Sequence, residues 1–137
     1  VFPRQSDFVA SNAKTIAQAV YEPFSWLRGL WLGDTPVGLI AMIDMVPEHP
    51  ETNPEDPPNA IFLWRLMIAA DHQGKGLGRE ALDIAFAEAR ARGRETFCTS
   101  VVPEDDGPMP FYVKCGLQPT DRHDDGERVL QGPVPPA

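Results

Sequence analysis

The sequence predicts a mixed α/β fold, a central sheet flanked by helices, and three stretches carry that expectation. Ala60 to Ala69 is a near-continuous apolar run of the kind a central strand shows when both its faces are covered. From Arg79 to Arg92 the apolar residues Leu82, Ala85, Phe86 and Ala89 recur at helical spacing, with Gly93 just past the end. A second strand-like run, from about Thr96 to Val102, follows. A strand, a helix and a strand in that order imply a right-handed crossover between parallel neighbours.

The other elements surround this unit. Asn12 or Ser11 can cap a helix through about Tyr21, where Ala13, Ile16, Ala17 and Val20 share a face and Pro23 ends the run. Phe24 to Leu32 and Val37 to Met45 read as strands joined across Gly33-Asp34-Thr35-Pro36, a hairpin signal. Residues 46–58 hold Pro47, Pro50, Pro54 and Pro57 among the acids Glu48, Glu51, Glu55 and Asp56, without Lys or Arg, and read as an irregular surface loop. A short helix is expected around Met109 to Lys114, ended by Gly116. A last hairpin pairs Gln118–Arg122 with Glu127–Leu130 across Asp124-Asp125-Gly126. The antiparallel hairpins and the parallel crossover together require mixed strands.

A chain of 137 residues suits one domain, residues 1–137. Its 42% hydrophobic and 23% charged content is that of a globular protein with a packed core. No apolar run reaches the roughly 20 residues of a membrane helix. The net charge of −8 opposes binding to the phosphate backbone of nucleic acid and suits a cationic small-molecule partner, although acidity also serves plain solubility. Cys98 and Cys115 read as free, buried thiols, and the cytoplasm is the expected compartment. His49, His72 and His123 show no metal-ligand spacing, so no metal is expected. Trp26, Trp31, Trp64 and Phe111 read as core side chains.

Chemistry concentrates at Gln73-Gly74-Lys75-Gly76-Leu77-Gly78, between the central strand and the long helix. Glycines let backbone amides converge, and a helix N-terminus adds partial positive charge, so the junction suits an anion. Arg79 in the first helical turn opposes the helix dipole unless an anion sits there, which a phosphate would explain. The string is not an ATP-type P-loop, since no Gly-Lys-Ser or Gly-Lys-Thr occurs. Nor is it the dinucleotide fingerprint, because Arg79 stands where the third glycine belongs. Alone, it is also compatible with a plain strand-to-helix turn.

It does resemble the Q/R-x-x-G-x-G/A signature of GNAT acetyltransferases, read as Gln73, Gly76 and Gly78 after Leu66-Met67-Ile68. The segment Pro110-Phe111-Tyr112-Val113-Lys114-Cys115-Gly116-Leu117 resembles that family's F-Y-x-K-x-G-F segment, in the same order and at a similar spacing. The resemblance runs from about Leu32 onward. Trp64-Arg65, Val102-Pro103-Glu104 and Asp125-Gly126-Glu127 look most like the spermine/spermidine acetyltransferase branch. It implies a GNAT-type fold and an acetyl-CoA-dependent N-acetyltransferase acting on a primary amine, a small cationic acceptor such as a polyamine. It also implies that backbone amides near Met67 and Ile68 bind the acetyl carbonyl and pantetheine arm. Gln73, Gly74, Lys75, Gly76, Leu77 and Gly78, with Arg79, would hold the pyrophosphate. Tyr112 corresponds to the tyrosine that faces the CoA sulfur as general acid; a phenol protonated at pH 7 can donate to a departing thiolate. The plain alternative is a half-buried aromatic with its hydroxyl at the surface. Homodimers are common among proteins of this kind.

The sequence departs from the pattern at three points. Asp105 stands where many members carry an Asn against the cofactor, and an ionised Asp cannot donate. Pro108 and Pro110 interrupt the start of the short helix. The family's first strand is not visible before Ser11. For the base that deprotonates the ammonium, Asp44 and Glu48 are candidates by position. A non-catalytic acetyl-CoA-binding module, or an acetyltransferase for an antibiotic amine or a protein N-terminus, are the alternative readings.

Overall fold

The structure is a computed structural model and describes residues 24–45, 57–102, 107–124 and 126–136. The expected helix ending near Tyr21, nearly all of the proline-rich loop with Glu48, and Asp105 lie outside these residues.

One six-stranded sheet holds β1 (Ser25–Leu32), β2 (Thr35–Met45), β3 (Ala60–Ile68), β4 (Thr96–Val101), β5 (Gln118–Asp124) and β6 (Glu127–Pro133), in the spatial order β1-β2-β3-β4-β6-β5. β3 and β4 are parallel, and every other neighbouring pair is antiparallel. The helices are α1 (Leu77–Ala91), between β3 and β4, and α2 (Met109–Lys114), after β4. The mixed sheet and both hairpins agree with the sequence expectation.

The apolar stripe read from the sequence is the buried face of α1: Leu82, Ala85, Phe86 and Ala89, with Ala81, are inaccessible. They pack on Ile40, Met42, Ile61, Leu63 and Phe97, and the rings of Phe86 and Phe97 meet edge to face at 4.7 Å. Pro108 and Pro110 do not break α2. Pro108 is its N-cap and Pro110 lies in its first turn, where no intrahelical N–H is required.

Of the tryptophans, only Trp26 joins the core. Trp31 is 62% exposed, because the register of the outer strand β1 shifts between Leu30 and Trp31 and carries the ring past the cover of the sheet. Trp64 is half-buried and is the extra residue of a bulge: Ala41 pairs with Arg65 and Met42 with Leu63, leaving Trp64 unmatched.

That bulge matters for the fold. Pairing between β3 and β4 ends at Leu63 opposite Thr99, while β3 continues to Ile68 and β4 to Val101. A bulge bends its strand and increases its twist, so the two parallel strands part just beyond Trp64. A gap opens between two interior strands of the sheet.

Candidate active site

The open end of β3 presents backbone groups of alternating direction. Ala69 N–H donates to Val37 C=O at 2.7 Å, which fixes the ladder to β2. Alternation then turns the N–H and C=O of Met67 toward β2 and those of Leu66 and Ile68 toward the gap. The Ile68 carbonyl, on that outward side, accepts from Gln73 Nε2 at 2.9 Å. Of the pair expected from the sequence, Ile68 faces the gap, Met67 does not, and Leu66 takes its place. Counting by twos from Ile68 would have identified Leu66.

A single 3₁₀ turn, Ala70–His72, leads into the glycine loop. Gly74 and Gly76 both have φ of +79°, a left-handed conformation that is costly for any residue with a Cβ. Gly76 is the N-cap of α1 and offers no side-chain oxygen to the first turn. Glu80 N–H bonds the Gly76 carbonyl at 3.2 Å, whereas the N–H groups of Leu77, Gly78 and Arg79 find no acceptor among the described residues. Free amides at a helix N-terminus suit an anion. Residues 73–76 are exposed, with Lys75 among them.

Arg79 has protein partners. Its Nε pairs with Asp83 at 3.2 Å, and the guanidinium lies beside Cys115, which with Asp83 holds its pKa above the usual value. No phosphate is needed to explain it. Gly78 carries the ring of Phe111, which docks α2 on the first turn of α1: a Cβ there would lie 3.5 Å from Phe111 Cζ. Phe111 is half-buried against the core, and its ring meets Tyr112 at 5.2 Å.

Tyr112 lies on the core face of the sheet, only 7% exposed, with its phenol beside Thr99. Thr99 Oγ1 donates to the Leu63 carbonyl at 3.0 Å, at the last paired position before the gap. The phenol therefore lies near the vertex where β3 and β4 separate. Burial pushes its pKa up to about 12, the Thr99 bond opposing and Cys115 adding to the rise. No periodicity marks Thr99 as its partner; the contact comes from strand register.

The structure corrects the expectation for Asp44. It pairs with Ile61 near the far end of β3, about 23 Å from Ile68 at the rise of a strand. Its carboxylate, 6% exposed, accepts from Arg94 Nε at 2.7 Å and from Arg92 Nη1 at 3.1 Å. Asp44 ties β2 to the C-terminal end of α1 and is remote from the gap. Both cysteines are free and buried. Among the described residues no group of three His, Cys, Asp or Glu could hold a metal ion, and no helix is long and apolar enough to cross a membrane.

Solved acetyltransferases share this architecture. An acetyltransferase from Thermus thermophilus is 23% identical, covering 88% of this chain and 71% of its own, with a TM-score of 0.70. An acetyltransferase from Bacillus subtilis in complex with CoA is 16% identical over 97% of this chain and 93% of its own, with a TM-score of 0.69. The PaiA N-acetyltransferase from Thermoplasma acidophilum, solved with coenzyme A, is 18% identical over 88% and 67%, with a TM-score of 0.65. A comparison with the curated proteins found no match. Residues 4–117 match the acetyltransferase (GNAT) family, and with its parted central strands, uncapped glycine loop and buried tyrosine the chain belongs to that family.

Proposed function

We propose that this protein transfers the acetyl group of acetyl-CoA to a primary amine by direct attack within a ternary complex. The observation that carries the reading is the gap beyond Leu63 and Thr99, with Tyr112 at its vertex and the glycine loop at its rim. The N–H groups of Leu66 and Ile68 face that gap and can receive the pantetheine arm and the thioester carbonyl, while the uncapped start of α1 suits the pyrophosphate.

The amine must first lose a proton, because a primary ammonium with pKa of about 10.4 has no lone pair for attack at pH 7. Its nitrogen then bonds to the acetyl carbon, charge gathers on the carbonyl oxygen against a β3 amide, and the carbon–sulfur bond breaks. Tyr112 gives its proton to the departing sulfur, and the adduct nitrogen sheds its second proton, which returns through solvent to the phenolate, leaving the neutral amide and free CoA. A phenol with a pKa of about 12 retains that proton across the working range. Polyamines are the first acceptors to test, supported by the net charge of −8, and two free thiols support a cytoplasmic setting.

The test is release of CoA thiol from acetyl-CoA in the presence of amines, comparing the protein with Tyr112→Phe. Turnover that falls about a hundredfold in kcat, within the usual range for a lost general acid, supports the reading. Tight acetyl-CoA binding without turnover of any amine would instead make the protein a non-catalytic acetyl-CoA-binding module.

A further inference from the structure

On the face turned away from α1, charged side chains border the gap. Strand alternation fixes that face. Leu63, Leu66 and Ile68 pack with the core beneath α1, so Arg65 and Met67 point to the other side. Phe97 and Val101 also belong to the core, so Cys98 and Ser100 point away from it. Arg65 stands two residues beyond the last β3–β4 pair on one strand, and Ser100 one residue beyond it on the other.

Both charges lack an opposite charge among the described residues. Arg65 Nε is buried with no hydrogen-bond partner, and Nη1 meets only the Met67 sulfur at 3.9 Å, a weak acceptor. Glu127, half-buried at the start of β6, is held by Ser100 Oγ, which donates to its Oε1 at 3.0 Å. It takes part in no ion pair with a described residue. A partly buried guanidinium without an anion and a carboxylate without a cation are each costly unless a ligand supplies the missing charge.

We propose that the acceptor is a small amino-carboxylate, with its carboxylate taken by Arg65 and its ammonium by Glu127. The inference rests on the acetyltransferase reading and puts an amino-carboxylate in place of the polyamine as its acceptor. The planar guanidinium matches a carboxylate with two parallel hydrogen bonds. Ser100 occupies one Glu127 oxygen, leaving the other to the ammonium. A polyamine would set one of its cations against Arg65 and supply no anion. The net charge of −8 acts at long range, where salt screens it beyond about 8 Å, so the side chains at the gap decide between amines.

The experiment measures CoA release with glycine, alanine and β-alanine against glycinamide, alaninamide, β-alaninamide and spermidine. The amino acids are expected to show at least tenfold higher kcat/KM than their amides. Arg65→Gln should raise KM for the amino acids at least tenfold and leave the amides unchanged, with Arg65→Lys recovering part of the loss. Glu127→Gln should raise KM for both sets. Equal or better use of the amides or spermidine, or an Arg65→Gln variant that melts like wild type and keeps its KM for amino acids, overturns the proposal. Should wild type turn over no amine at all, the transferase reading fails separately. Calorimetry of the same amino acids with CoA-loaded protein then decides the site: binding abolished by Arg65→Gln supports it, and absence of binding to wild type overturns it.

Discussion

Thr99 faces Leu63 across the last paired position of β3 and β4, and its hydroxyl donates to the Leu63 carbonyl at 3.0 Å. Tyr112 lies beside the same hydroxyl, which favours its phenolate and so opposes the rise in pKa that burial causes. If Tyr112 is the general acid, the Thr99 hydroxyl can turn from Leu63 and donate to the phenolate that proton transfer leaves.

Replacing Thr99 with Val removes the hydroxyl beside Tyr112, and its bond to Leu63, at nearly constant shape. It is expected to lower kcat about tenfold, at the low end of what a general acid contributes, with little change in KM for acetyl-CoA. Thr99→Ser should retain most of the activity. In a Tyr112→Phe background, Thr99→Val should cost nothing further in kcat. An equal loss in both backgrounds would show that Thr99 acts independently of Tyr112.

Tyr112 also predicts how stability depends on alkaline pH. Its folded pKa, about 12, lies above the unfolded value of 10.0, so the stabilisation is whole below pH 10 and is lost as pH rises toward 12. A shift of that size corresponds to roughly 3 kcal/mol. Urea midpoints across this window should fall more steeply for wild type than for Tyr112→Phe. Parallel curves would mean that the phenol ionises as readily folded as unfolded.

Asp44 is expected to matter for stability and not for turnover. Its carboxylate joins Arg92 and Arg94, and Arg94 also donates to Asn59 Oδ1 at 2.8 Å, so the cluster ties β2, the C-terminal end of α1 and the start of β3 together. The arginines retain partial contact with water, at 33% and 22% side-chain exposure, which limits the loss. Asp44→Asn should therefore cost about 2 kcal/mol, below the full value for breaking a buried pair. Denaturant unfolding measures that cost, and kcat should stay at the wild-type level.

Much of this arrangement is legible along the chain because it is periodic. Leu82, Ala85, Phe86 and Ala89 announce the buried face of α1, and turn residues such as Gly33-Asp34 announce the hairpins. A glycine could be anticipated at the entry to the helix, since the left-handed backbone that Gly76 adopts there carries no Cβ penalty. Features that depend on which strands become neighbours were not legible. Trp64 carries no mark of the bulge, and Asp44 resembles a site acid until Arg92 and Arg94 approach from 48 and 50 residues away. Arg65 and Glu127 reach the same face of the sheet, on either side of β4, only through the order β3-β4-β6.

Gly38 lies opposite Ile68 at the open end of β3. An added Cβ would stand 2.5 Å from the Met67 carbonyl oxygen and 3.0 Å from the terminal methyls of Ile68 and Leu30. The methyls can rotate away, but the carbonyl belongs to backbone that the Ala69 to Val37 bond holds in register. Gly38→Ala must therefore push β3 away from β2, toward the gap. The expected cost is about 1–3 kcal/mol in stability, as for other overpacked sites. Because the displaced segment carries the Leu66 and Ile68 amides, KM for acetyl-CoA should rise several-fold while the amine KM changes less. A variant that loses stability but keeps its acetyl-CoA KM would show that those amides do not meet the cofactor.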